Sequence, residues 1–122
     1  MPSPILVTSE PVPRDELARL VDLYFGDMVK FVVDVERGVI AIGGELHADA
    51  EALLLEQGSR PADIWGANYY PGRGEERCIE YTSLINIRPS RGNASMEIES
   101  EGLRARVRAM VFELVGTGEA LP

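Results

Sequence analysis

Histidine, cysteine and lysine each occur once in the 122 residues, as His47, Cys78 and Lys30. A single cysteine excludes an intramolecular disulfide and suits a reducing compartment. One imidazole and one thiol cannot supply the four nitrogen and sulfur ligands of a structural zinc site within one subunit. Positive charge is scarce too: 12 Lys and Arg face 20 Asp and Glu, giving a net charge of −8 and a pI near 4.6. Such a surface repels phosphate backbones and acidic head groups, which argues against nucleic acid and membranes as partners. No apolar run reaches the length that spans a bilayer, and Met1 to Thr8 lacks the basic start and apolar core of a leader. The expected location is cytoplasmic. Dinucleotide fingerprints, phosphate loops and the Gly-x-Ser-x-Gly context of a nucleophilic serine are all missing, so Ser59, Ser83, Ser90 and Ser95 are ordinary serines by context.

What is there is an ordinary globular composition, 45% hydrophobic and 26% charged, in a chain the size of one domain. A chain of this length removes roughly two-thirds of its unfolded surface from water and needs no metal or disulfide to fold. Ile5 to Thr8 is a short β-branched run between prolines, which predicts an edge strand. Pro13 opens a helix whose positive end suits Asp15 and Glu16; Leu17, Leu20, Val21 and Tyr24 recur on one face, and Gly26 stops it. From Met28 to Asp34 the period changes to two, with Val29, Phe31, Val33 and Val35 on one side. Glu36-Arg37-Gly38 forms a hairpin loop, and Val39 to Ile42 returns antiparallel. After Gly43-Gly44 a helix runs from about Ala48 to Gln57, capped by Gly58; its three leucines, Leu53 to Leu55, suggest burial on two sides. Ile64 to Tyr70 and Cys78 to Arg88 read as strands, the latter with Ile79, Tyr81, Ile85 and Ile87 on one face. The last helix, about Glu101 to Val115, is capped by Ser100 and carries an apolar stripe of Leu103, Val107, Met110, Val111 and Leu114.

This order predicts a single α+β domain over residues 1–122, with a mostly antiparallel sheet of about five strands covered on one side by about three helices. Residues 1–12 supply the N-terminal strand and lead-in, and 116–122 a flexible tail.

Four blocks, Asp27-Met28-Val29-Lys30, Gly43 to Asp49, Leu54 to Ser59 and Ile85-Asn86-Ile87-Arg88-Pro89, together resemble a family of short prokaryotic proteins catalogued as a domain of unknown function. The resemblance runs from Pro11 to about Val115 and implies one intact domain. It implies no activity and no cofactor.

The chemistry-bearing candidates stand apart from that resemblance. Glu45, His47, Asp49 and Glu51 surround the only imidazole at a strand-to-helix junction. A carboxylate there, Glu45 or Asp49, can fix the ring's tautomer for general acid–base work, and the same residues also suit a plain helix N-terminus. Asp34, Glu45 and Asp49 have the oxygen ligands that Mg²⁺ or Mn²⁺ takes, yet acidic chains hold many accidental sets of that kind, and no metal ligand is assigned. A Cys78–His47 pair requires tertiary contact, and Cys78 sits in an apolar run where cysteine is usually a packing residue. The loop Arg88 to Ser95 brings Arg88, Arg91, Asn93 and Ser95 together with a glycine, a set able to wrap a carboxylate or phosphate, or to pair with the protein's own acids. Trp65, Tyr69 and Tyr70 fit a core or a pocket wall, and Arg104, Arg106 and Arg108 a solvated, salt-bridged face.

Two functions fit these residues. In one, Glu45–Asp49 and Arg88–Ser95 converge on a small anionic ligand, with His47 as acid or base in proton transfer or hydrolysis and Arg88 and Arg91 as the clamp. In the other, a sheet or helix face binds a second protein, a homodimer partner included, without catalysis. No cofactor can be named from the residues.

Overall fold

Proline at the helix entrance, a period-two run and a Gly-containing hairpin fix the first half of the fold. In a computed structural model, which describes residues 4–122, α1 spans Arg14–Tyr24, β2 Val29–Asp34 and β3 Val39–Gly43, preceded by β1 at Ile5–Thr8. The first three residues of the expected N-terminal lead-in lie outside the described residues. Gly38 takes the left-handed conformation the hairpin needs, at φ +67°. Helix α2 follows at His47–Glu56, β4 at Ile64–Tyr69, β5 at Ile79–Glu80 and α3 at Glu101–Leu114. The Ser100 hydroxyl caps α3 by accepting from the Leu103 amide at 3.1 Å.

The five strands form one antiparallel sheet in the order β1-β3-β2-β4-β5, with β1 at an edge as its flanking prolines predicted. Register sets the two faces. Phe31 lies opposite Ile42 and Ala67, and Val33 opposite Ile40 and Trp65. These residues build the larger core with Leu17, Leu20 and Val21 of α1 and Val107, Val111 and Leu114 of α3. The alternate residues Val32, Ala41 and Ile64 build a smaller core with Ala50 and Leu54 of α2. Helices therefore cover both faces, α1 and α3 on one and α2 on the other. This corrects the one-sided covering expected from the sequence. Val32, buried on the face opposite Phe31 and Val33 and joined there by Ala41 and Ile64, is its physical cause.

Four local expectations also change. In α2 only Leu54 of the three leucines is fully buried, Leu53 is half-buried and Leu55 remains 39% exposed, so the helix has one buried face. In α1, Tyr24 leaves the apolar face and is exposed. The strand expected from Cys78 to Arg88 shrinks to Ile79–Glu80, and Leu84–Asn86 is a turn of 3₁₀ helix. Ser83 starts that turn, its hydroxyl accepting from the Ile85 amide at 3.3 Å. The segment after α3, expected as a flexible tail, is bonded to the body of the protein. The Gly118 amide donates to the Tyr69 hydroxyl at 2.9 Å, the Gly118 carbonyl accepts from Gly72, and Leu121 packs on the larger core. Among the described residues no helix is long and apolar enough to cross a membrane.

Candidate functional site

Strand β3 ends at two glycines, and the chain enters α2 through Leu46 in an extended conformation. Leucine has no polar atom with which to cap, so the first-turn amides of α2 have no side-chain partner. That open end borders a pocket of about 440 Å³. Leu46, His47 and Ala48 form one wall, Met28 just before β2, Lys30 of β2 and Asn68 of β4 the floor, and Thr82 to Ile85 with Met96 the opposite wall. Apolar residues crowd its mouth: Leu84 is 72% exposed, Leu46 55% and Met96 40%. Side chains this apolar, left in water around a concavity, are the usual surroundings of a ligand site.

His47 is half-buried in this wall, with Nε2 2.8 Å from the Ala67 carbonyl. A carbonyl can only accept, so Nε2 carries the hydrogen and the neutral ring keeps its lone pair on Nδ1. The carbonyl's two lone pairs make this bond compatible with Ala67's place opposite Phe31 in the sheet. Burial pushes the His47 pKa below its ordinary value; the Ala67 bond opposes that, the Lys30 ammonium adds to it, and the Asn68 side chain opposes it. The imidazole is therefore neutral at pH 7.

Above about pH 6.5 the ring is neutral in folded and unfolded chains alike. As pH falls below that value the unfolded chain takes up a proton that the folded chain resists, so His47's contribution to stability is lost until the folded ring titrates. The stability difference between the natural chain and His47→Gln, from urea midpoints, should narrow between pH 7.5 and pH 5. A difference that widens on acidification would contradict a lowered pKa.

Asn68 lies opposite Lys30 in the β2–β4 register and is only 7% exposed. Its Nδ2 donates to the Glu80 carboxylate at 2.8 Å, which fixes the orientation of the amide. Its Oδ1 has no hydrogen-bond partner.

The other residues singled out in the sequence fall around this centre in different ways. Glu45 and Asp49 are exposed at the start of α2, and neither hydrogen-bonds the imidazole; the Ala67 carbonyl orients it instead. Glu51, one turn further along α2, approaches the Arg88 guanidinium at 3.9 Å. Arg88 stacks over the Trp65 ring, 4.7 Å from its centroid, and does not line the pocket. Burial lowers its pKa, which Glu51 partly offsets. Arg91 is exposed in a 3₁₀ turn over Pro89–Arg91. Asn93 is buried with its amide engaged: Nδ2 donates to the carbonyls of Asn86, Ser95 and Glu97, and Oδ1 accepts from the Glu99 amide. The amides of Ala94 and Ser95 both point at the Glu99 carboxylate, 2.9 Å away, and the Ser95 hydroxyl bonds Glu97. The anion this loop wraps is thus the protein's own.

Asp34 is buried and its carboxylate accepts three hydrogen bonds, from the amides of Glu36 and Arg37 and the Ser59 hydroxyl. Among the described residues, no three His, Cys, Asp or Glu side chains come together. Cys78 packs in the larger core, on the sheet face away from α2, and burial pushes its thiol pKa up. Trp65 and Tyr69 are core residues, and Tyr70 is half-buried beside Glu80. Arg106 pairs with Glu36 at 3.1 Å, and Arg104 stacks on Tyr81.

Lys30, Asn68 and the Thr82–Ile85 wall were not read as site residues from the sequence. Lys30 and Asn68 each carried a signal, and the wall carried none: the only lysine stands within a β-branched strand, and an asparagine, poorly suited to strands, stands within β4.

No curated protein and no solved structure matches this chain. A family model described as "Protein of unknown function (DUF5674)" matches residues 6–114, from the second residue of β1 to the last of α3. The match takes in all of the sheet but Ile5, and all three helices. The chain belongs to the DUF5674 family of proteins of unknown function.

Proposed function

We propose that the protein binds a small carboxylate with an apolar body in the pocket at the start of α2, and that His47 exchanges a proton with it. The observation that carries this reading is the neutral, tautomer-fixed imidazole in the wall of an apolar concavity. Such a ring is a ready base, and an acid once protonated. Lys30 and the uncapped amides of α2 favour a negative head group, while Met28, Leu84, Ile85 and Met96 suit an apolar body. Glu45 and Asp49, exposed on either side of His47 in the chain, do not line the pocket and have no part in holding the carboxylate. Arg88 secures α2 through Glu51, and the Asn93–Ser95 part of the loop frames Met96.

The test is an NMR titration with 4-methylpentanoate and its 2-hydroxy derivative at millimolar concentration. At least one should shift Lys30, His47, Asn68 and the Ile85 methyls selectively and raise the His47 midpoint, since a nearby anion favours the imidazolium. Ala48→Phe, which fills the pocket from an exposed position on α2, should abolish those shifts. If neither compound perturbs His47, or Ala48→Phe leaves the shifts in place, the pocket is not the binding site.

A further inference from the structure

Two acceptors and one hydrogen meet at His47. The neutral ring carries a single N–H, and the Ala67 carbonyl takes it at 2.8 Å. The next residue in β4, Asn68, is buried, and Glu80 holds its Nδ2 at 2.8 Å. The Tyr70 hydroxyl donates to the same Glu80 oxygen at 3.2 Å and steadies it. Oδ1 is therefore the end of the amide left for the imidazole. It is closed to solvent and has no hydrogen bond of its own among the described residues. A pocket ligand cannot reach it, but the ring can. Burial lowers the His47 pKa; the Ala67 carbonyl and the Asn68 side chain both oppose it, as accepting oxygens do.

We propose that Asn68 is the positioning residue of His47: Glu80 holds the amide so that its oxygen faces the ring, and that oxygen supports the imidazolium formed when His47 takes a proton. This role rests on His47 being the proton-exchanging group proposed above, and adds what sets its proton affinity. An imidazolium offers two N–H groups and a full charge, where the neutral ring offers one N–H, so a fixed amide oxygen beside it favours the charged form. Without that oxygen the buried ring is a poorer base. Asn68 thus acts through His47 and does not touch the ligand. Of the charged groups around the ring, Lys30 of β2 lies on the pocket floor and Glu80 of β5 behind Asn68. Glu45, Asp49 and Glu51 stand on or beside the ring's own helix, with Glu51 turned to Arg88. The opposite wall, Thr82 to Ile85 with Met96, has no titratable side chain.

The His47 ring signals, followed by NMR through a pH titration with no ligand added, test this role. Asn68→Leu, which keeps the bulk and removes the oxygen, should lower the midpoint by about half a pH unit or more. Asn68→Asp, which sets a charged oxygen beside the ring, should raise it. Glu80→Ala releases the amide and should lower the midpoint. Glu80→Gln, whose own amide oxygen can still accept from Nδ2, should recover most of that loss. An unchanged midpoint in Asn68→Leu, or a shift in the same direction in both Asn68 variants, overturns the role given to Asn68 while the pocket stands as a carboxylate site. Equal losses in Glu80→Ala and Glu80→Gln mean that the Glu80 charge acts on the ring directly, and overturn the hold on the amide. Midpoints that move as expected, in a protein that binds neither carboxylate tested above, overturn the ligand site and leave Asn68 supporting the ring. Should Asn68→Leu fail to fold, the two Glu80 variants decide alone.

Discussion

Asn86→Ala should destabilise the protein by about 3–5 kcal/mol, a large part of the roughly 5–15 kcal/mol that holds a domain together. Strand β5 covers only Asn68 and Tyr69 of β4, so Gly66 stands at an edge with both backbone groups turned outward. The buried Asn86 side chain takes the place of the missing strand. Its Oδ1 accepts from the Gly66 amide and its Nδ2 donates to the Gly66 carbonyl, both at 2.9 Å, and Nδ2 also reaches the Met96 carbonyl at 3.1 Å. Alanine leaves the Gly66 amide and carbonyl buried without partners, and the Met96 carbonyl keeps only the Ser83 amide. Water has little room to replace them, because a Cβ on Gly66 would already lie 2.8 Å from the Ser83 side chain. Urea denaturation should show a lower midpoint with an unchanged slope. Asn86→Asp should recover little, since it supplies an acceptor for the Gly66 amide and sets a carboxylate against the Gly66 carbonyl. A loss below about 1 kcal/mol in Asn86→Ala would mean the edge is held by the packing of Ile85 and Ser83 instead. The same bonds position the Thr82–Ile85 wall, so this variant should also broaden the signals of the pocket.

Much of the architecture is legible in local sequence because its cause is local. Period-two alternation in Val29–Asp34, Gly38 in the turn and Ser100 before an apolar stripe each act within a few residues, and each element formed where its pattern placed it. The segment Cys78–Arg88 shows the opposite case. Its alternation of Ile79, Tyr81, Ile85 and Ile87 is a strand pattern, but Ser83 bonds the Ile85 amide and Asn86 reaches across to Gly66, so the chain turns between Tyr81 and Ile85. Ile79 and Tyr81 then pack on the larger core and Ile85 on the smaller. The side on which α2 packs was equally hidden, because burial of both faces of β2 is set by helices far along the chain. His47 stood out as a lone imidazole at a strand-to-helix junction. Its carbonyl partner is 20 residues away, and its polar neighbour Asn68 comes beside it only through the β2–β4 register. The Arg88–Ser95 loop read as an anion cradle from composition, and composition does not tell that Glu99 would fill it.

Asp34→Ala should be comparably damaging, about 3–5 kcal/mol, for a different reason. Asp34 Oδ1 accepts from the amides of Glu36 and Arg37 at 3.0 and 2.9 Å, closing the β2–β3 hairpin as an Asx turn. Oδ2 accepts from the Ser59 hydroxyl at 2.6 Å, and that hydroxyl accepts in turn from the Arg37 guanidinium at 3.0 Å. One buried carboxylate thus joins the hairpin to the segment that leaves α2. Alanine removes every acceptor that this carboxylate supplies and strands an amide pair and a hydroxyl beside a guanidinium. The Asp34→Asn variant keeps the two turn bonds through its amide oxygen, and its amide nitrogen can donate to Ser59. The Ser59 hydrogen alone then lacks an acceptor, so this variant should lose only about 1–2 kcal/mol. Urea midpoints of the two variants, with Ser59→Ala completing a double-mutant cycle, measure the difference. If Asp34→Asn and Asp34→Ala lose the same amount, the charge beside Arg37 dominates and the turn bonds contribute little. If Asp34→Asn keeps most of the stability, the hairpin turn is the stabilising element. The far end of α2 is then fixed by hydrogen bonding at Ser59, and its open end is left to the pocket.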